Sequence, residues 1–177
     1  FYPSYGDTYP TYSGAIGMTF EQGGIRSGLA IINEDGDTLK LSERLEHHYT
    51  TGLSTIEISS SNAERLVREF RKFYDDGIRN GNGEYRSFVI KREAKRPSLQ
   101  TELLGFLQSH DIRYQFAPAK KTAKLYSYSK RKEDNFNIEE GDIIIQTAQP
   151  KSALLRVLLE PQSRITDTIT YDITAWS

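Results

Sequence analysis

The chain has 177 residues, with 23 Lys and Arg against 24 Asp and Glu, a formal net charge of -1. That length suits one domain or two small ones, and the near-neutral balance excludes an overall field for capturing nucleic acid or an anionic membrane, so any such partner needs a local patch. Hydrophobic residues make up 37% and aromatics 11%, too many aromatics for a disordered chain, and the absence of cysteine excludes disulfides, thiolate metal sites and thiol nucleophiles. The longest apolar runs, such as Ile143–Ile145 and Ala153–Leu155, fall far short of the ~18 residues of a membrane span, and no signal-like stretch opens the chain. It starts at Phe1 without an initiator Met and stops at Ser177, which reads as a processed product or a cut from something longer.

From Phe1 to Ser13, Pro3, Gly6 and Pro10 punctuate the chain too often for a helix, so Tyr2, Tyr5, Tyr9 and Tyr12 are expected on a shaped loop. Ala15–Phe20 suits a strand ending at Glu21 before the Gly23-Gly24 turn, and Leu29–Ile32 and Thr38–Leu41 suit a hairpin closed by Asp35-Gly36. A helix is predicted from Ser42 as N-cap, with Leu45, Tyr49, Leu53 and Ile56 on one buried face and Gly52 marking close packing. After the serine run Ser59–Ser61, a second helix carries Ala63, Leu66, Val67, Phe70, Phe73 and Tyr74 on one stripe and Glu64, Arg65, Arg68, Arg71 and Lys72 on the other side. Gly77, Asn80, Gly81, Asn82 and Gly83 then predict a linker over 77–84.

The second half reads as a compact α+β unit. Ser87–Lys91 is predicted as a strand, Ser98–Gln108 as a helix and Ile112, Tyr114 and Phe116 as an alternating strand, together one β-α-β step. Leu125–Tyr128 suits an edge strand and Ile143–Gln146 a buried one. Pro150 opens a short helix with Leu154, Leu155, Val157 and Leu158 inward, stopped by Pro161. Thr168–Thr174 alternates again, as a strand closing a sheet does.

Several patterns are tested against their chemistry. Asn33, Asp35 and Asp37 sit at alternate positions, as in a calcium loop, but the twelfth place holds Arg44 instead of a bidentate Glu, so a plain hairpin turn is expected. His47 and His48 point about 100° apart on a helix and lack a Glu or His at helical steps, which predicts one packed and one exposed histidine. Arg113, Lys120, Lys121, Lys124, Lys130, Arg131 and Lys132 form a basic strip interleaved with Tyr126 and Tyr128, a pattern able to hold single-stranded nucleic acid. Glu133, Asp134, Glu139, Glu140 and Asp142 follow at once and would neutralise it across a hairpin, so a solvated face without nucleic acid is expected. The glycines form no phosphate-cradling loop with a lysine, and no Gly-x-Ser-x-Gly elbow is present.

Glu21 is the most informative position. It ends the apolar stretch Gly17-Met18-Thr19-Phe20-Glu21-Gln22-Gly23-Gly24, and a strand has little reason to end in a carboxylate unless that group faces water or a site. Thr19-Phe20-Glu21 resembles the Thr-x-Glu that carries the catalytic glutamate in zinc metallocarboxypeptidases of the carboxypeptidase A type. Tyr5-Gly-Asp-Thr-Tyr-Pro, Gly14-Ala-Ile-Gly-Met-Thr-Phe-Glu-Gln and His47-His-Tyr-Thr-Thr-Gly-Leu-Ser-Thr-Ile resemble a bacterial branch of that family with an extra C-terminal domain. Asp142-Ile-Ile-Ile-Gln-Thr-Ala-Gln-Pro, Leu158-Leu-Glu-Pro and Tyr171-Asp-Ile-Thr-Ala-Trp are similar to the tail of that branch.

The resemblance implies an α/β or α+β chain: residues 1–76 as the C-terminal strand-helix portion of a carboxypeptidase-like domain, 77–84 as linker and 85–177 as an accessory α/β domain. It implies Glu21 as general base and acid, a peptide substrate, a periplasmic or extracellular location, and a loop tyrosine closing over the substrate carboxylate, with Tyr5, Tyr9 and Tyr12 all candidates. The zinc of that family is held by two histidines and a glutamate, with His-x-x-Glu as the signature. Here Thr50, Thr51 and Arg113 stand at the matching places after His47, His48 and His110, so zinc is implied for a longer parent and not for this chain. The alternative is a non-catalytic binding module using the aromatic loop or the Arg113–Lys132 strip.

Overall fold

The computed structural model of the chain describes residues 6–21, 29–32, 35–92 and 96–162. It is a mixed α/β structure of helices and antiparallel sheets, in two compact units, Phe1–Asp75 and Asp76–Ser177.

In the first unit the tyrosine segment is not all loop: Thr8–Thr11 forms one helical turn (α1), because Pro10 at its third position donates nothing that a single turn requires. The segment 15–21 has no strand partner among the described residues, so the expected Ala15–Phe20 strand is not formed there. The hairpin is as expected. Strands Ala30–Ile32 (β1) and Thr38–Lys40 (β2) pair antiparallel, Ala30 opposite Lys40, and Gly36 takes the positive φ of 90° that the turn requires.

Helix α2 spans Leu41–Ser61, so its start and end both differ from the sequence expectation. Lys40 is the N-cap, and its N–H donates to Glu43 Oε2 at 2.7 Å, which satisfies an end group without Ser42. The serines do not break the helix; Ser61 turns its hydroxyl onto the Glu57 carbonyl at 2.9 Å, and the break comes at Asn62. The face predicted to be buried is open: Leu45, Tyr49, Leu53 and Ile56 are 60%, 68%, 49% and 68% exposed, and nothing lies near Gly52. Helix α3 follows at once over Ala63–Asn80 and runs through the first half of the predicted linker. Phe73 and Tyr74 of its stripe are half-buried, with Phe70 edge-on to Tyr74 and the Tyr74 hydroxyl donating to Ser13 O at 3.1 Å, while Val67 is exposed. No described residue of this unit is buried.

The second unit has a core. Strand Ser87–Ile90 (β3), helix Pro97–Ser109 (α4) and strand Gln115–Phe116 (β4) form the β-α-β step, but the two strands do not touch. Strand β7, Ile143–Gln146, lies between them, antiparallel to both, with Phe88 opposite Ile145 and Phe116 opposite Ile143. Lys121–Ser127 (β5) and Lys132–Ile138 (β6) make a separate ribbon, longer than the edge strand expected at Leu125–Tyr128 and paired along its whole length. Helix α5, Ser152–Leu159, ends before Pro161 as expected. Ile143, Ile145, Leu107, Leu154 and Leu155 are the fully buried aliphatic side chains, each contributing ~1.5–3 kcal/mol by leaving water. Thr168–Thr174 lies outside the described residues.

Buried polar groups tie these elements together. The Asp142 carboxylate, 1% exposed, accepts from Lys91 Nζ, from Arg92 N at 2.9 Å and from Glu139 N at 2.8 Å. Burial pushes this carboxyl up, but those three donors outweigh burial and hold it below its ordinary value of 3.8. The stabilisation is therefore present above the ordinary carboxylate value and is lost as pH falls through the depressed one. Asp142→Asn is expected to destabilise the second unit by about 2–3 kcal/mol, because it weakens three charge-assisted bonds to a buried group. Denaturant unfolding of both proteins at neutral pH and in acid checks this: the difference should shrink as the acid protonates Asp142, and an equal difference at both pH values would refute the assignment.

Candidate functional site

The Thr-x-Glu segment is held by the tyrosine-bearing loop before it. Thr19 Oγ1 donates to Asp7 Oδ2 at 2.7 Å, and Thr8 Oγ1 reaches the other oxygen at 3.2 Å. A Cβ at Gly17 would overlap the Asp7 carbonyl oxygen, so only glycine lets the two backbones approach this closely. The Thr19 bond is the main cause that holds the Asp7 carboxyl below its ordinary 3.8, with desolvation opposing it. Tyr9 lies within α1 and Tyr12 caps it, both half-buried, whereas Tyr5 lies outside the described residues. Glu21 is exposed, with no hydrogen bond or ion pair to another described residue. Asp7 sits inside Tyr5-Gly-Asp-Thr-Tyr-Pro, and nothing in the sequence spacing announces its partner twelve residues away.

Beside Glu21 opens a groove of about 1270 Å³, lined by Ile16, Met18 and Phe20 and by residues of α2 and α3 including His47, Ile58 and Leu66. Neither Glu21 nor the two described tyrosines line it. His47 and His48 are both exposed, which corrects the expectation that one packs. His110 is half-buried, edge-on to Phe106 at 4.5 Å. Among the described residues no group of three His, Cys, Asp or Glu side chains is placed to hold a metal ion, so these residues do not fit a zinc site. Thr19→Val and Gly17→Ala are each expected to return the Asp7 carboxyl towards 3.8, as read by NMR titration of its carboxyl carbon. An unchanged titration in both would mean that the loop is not fastened through Thr19.

Three of the seven basic residues of the strip meet acids that follow it. Lys120 meets Glu139 at 3.1 Å, Lys124 meets Glu133 and Lys130 meets Asp134, the balanced solvent face expected of a charged hairpin. Tyr126 and Tyr128 instead belong to an aromatic cleft that the sequence did not announce. Their rings are edge-on at 6.1 Å, and Tyr126 also meets Tyr85, which adjoins Phe88 at 6.0 Å. The cleft, about 410 Å³, is lined by β3 and Lys91, by Leu125–Ser129, and by Phe136 and Leu159. The Tyr128 hydroxyl donates to the Leu159 carbonyl, and its desolvation, reinforced by Tyr85 and Tyr126, pushes the phenol up to about 12. One tyrosine is therefore expected to ionise near pH 12 in an ultraviolet titration, and the Tyr128→Phe protein should lack that step. Because the raised value favours the neutral phenol, the associated stability is complete below pH ~10 and is lost as pH rises towards 12.

No helix among the described residues is long and apolar enough to cross a membrane. No protein-family model, curated protein or solved structure matches the chain.

Proposed function

We propose that the chain is the C-terminal part of a carboxypeptidase-like domain, Phe1–Asp75, followed by an accessory unit, and that Glu21 is the proton-transfer group of a peptide hydrolase. The observation that carries this reading is the Asp7–Thr19 bond over Gly17. It fastens a tyrosine-bearing loop to the segment that presents Glu21 and leaves that carboxylate exposed, with no basic partner among the described residues. A carboxylate tied up in an ion pair would be a poor base; one left open can accept a proton.

In this reading Glu21 takes a proton from the attacking water while the water oxygen adds to the scissile carbonyl carbon. As the C–N bond breaks, Glu21 returns that proton to the departing amine. Tyr5, Tyr9 and Tyr12 are the candidates for covering the C-terminal carboxylate of the peptide. Zinc, which the resemblance implies, would be held by residues outside this chain. The open apolar face of α2 and the groove beside Phe20 agree with a unit that packs against more polypeptide, because surface left in water contributes nothing to offset the entropy of ordering it. A periplasmic or extracellular location belongs to the same proposal.

The test is peptidase assay and metal analysis of the longer protein carrying this chain, beside its Glu21→Gln variant. The variant should lose ~10²–10⁴-fold in kcat with little change in KM and in metal content. Full turnover by Glu21→Gln would remove Glu21 from the mechanism. Absence of both metal and turnover in the longer protein would leave the non-catalytic module as the better reading.

A further inference from the structure

The turn after α3 carries two Asn-Gly pairs in succession. Of the chain's six asparagines, only Asn80 and Asn82 precede a glycine. Such pairs share an intrinsic reactivity: the glycine nitrogen, with no side chain beside it, can reach the amide carbon of the preceding asparagine. The fold treats the two pairs differently.

Asn80 ends α3, and Gly81 N donates to the Gly77 carbonyl at 3.2 Å. Gly81 is also packed against Thr147, where a Cβ would meet Oγ1 at 2.6 Å. The nitrogen that would attack Asn80 is therefore held by a hydrogen bond in a crowded place. Gly83 is exposed, at a φ of 92°, and among the described residues its N–H has no acceptor and the Asn82 side-chain amide has no hydrogen-bond partner. The Asn82 main chain is anchored instead at its own nitrogen, which donates to Ser152 Oγ at 2.6 Å, and Ser152 is fully buried. An anchored amide is thus followed by an unbonded nitrogen.

We propose that Asn82-Gly83 is a site of spontaneous covalent modification in the folded chain, converting Asn82 to aspartate and isoaspartate, while Asn80-Gly81 is protected. The Gly83 nitrogen bonds to Asn82 Cγ, the Cγ–Nδ2 bond breaks, and the Gly83 N–H proton leaves with that nitrogen as ammonia. The product is a five-membered imide. Water then opens the ring at one of its two carbonyls. Opening at Cγ gives aspartate, and opening at the main-chain carbonyl gives isoaspartate, whose main chain runs through Cβ and Cγ.

The isoaspartyl form lengthens the main chain immediately after the nitrogen that Ser152 holds. It therefore loosens the joint in which Asn82, Gly81 and Thr147 meet, and the second unit loses stability as it ages. This rests on the second unit alone and is independent of the role given to Glu21.

The test is ageing of the full chain in mildly alkaline buffer, with and without denaturant, followed by trypsin digestion and fragmentation mass spectrometry. Arg79 and Arg86 bound one tryptic peptide that contains both asparagines, so each molecule reports both sites. In the folded chain Asn82 should convert at least about fivefold faster than Asn80, because Gly81 N must first leave its hydrogen bond. In denaturant the two rates should converge. Conversion of Asn80 as fast as Asn82 in the folded chain overturns the proposal, as does a ratio that denaturant leaves unchanged or an absence of conversion at both. The isolated isoaspartyl protein should unfold at a lower denaturant midpoint than the fresh chain, whereas Asn82→Asp, which adds the charge without lengthening the main chain, should shift less. An unchanged midpoint, or an equal shift in Asn82→Asp, overturns the link to Ser152.

Discussion

The second unit depends on one stretch of backbone, from Asp142 to Ser152, in which every buried polar side chain is satisfied by a different passage of the chain. Asp142 holds Lys91, Arg92 and Glu139. Thr147 donates to the Tyr85 and Arg86 carbonyls, both at 2.9 Å. Gln149 accepts from Arg113 N at 2.7 Å and donates to the Arg113 carbonyl at 3.1 Å, and Ser152 Oγ receives Asn82 N at 2.6 Å. The partners are mostly main-chain groups, so the contacts fix where the chain passes and not merely which side chains meet. An unmet buried polar group costs on the order of 1–3 kcal/mol, which is why the interleaved apolar residues Ile143, Ile145, Leu154 and Leu155 have one arrangement open to them. Gly81 belongs to the same joint. At a φ of 68° it sits so close to Thr147 that a Cβ would lie 2.6 Å from Oγ1.

Among the described residues the first unit has nothing comparable. Its helices form from local signals, the Glu43 bond to Lys40 and the apolar stripe of α3, and its loop is fastened by Thr19 to Asp7 and by Tyr74 to Ser13. These contacts shape the segment around Glu21 without burying it. Such an arrangement suits a site, which must stay open to reactants, more than it suits a scaffold.

What was legible in the sequence follows this division. Asp35-Gly36 fixed a hairpin because a tight turn and its strands are local, and Pro161 marked the end of α5 for the same reason. The helical periods of α2 and α3 were legible too. The burial of Leu45, Tyr49, Leu53 and Ile56 was not, since period reveals a face but not what covers it. The run Ile143-Ile144-Ile145 marks β7 as a buried strand, yet its position between β3 and β4 is a matter of topology that no local pattern encodes. Residues 15–20 have the composition of a strand and no partner among the described residues, because pairing is a property of two segments. Of the candidate site, Glu21 and the tyrosines could be named from sequence, whereas Asp7 and the aromatic cleft required the fold.

The open face of α2 bears on how such a protein is made. Synthesis proceeds from the N-terminus, so Leu45, Tyr49, Leu53 and Ile56 leave the ribosome before Asp142–Ser152 does. The second unit can assemble from its own residues as soon as they emerge, whereas the earlier helix presents its apolar stripe to solvent from the moment it forms, and an open apolar stripe on a nascent chain favours contact with its neighbours.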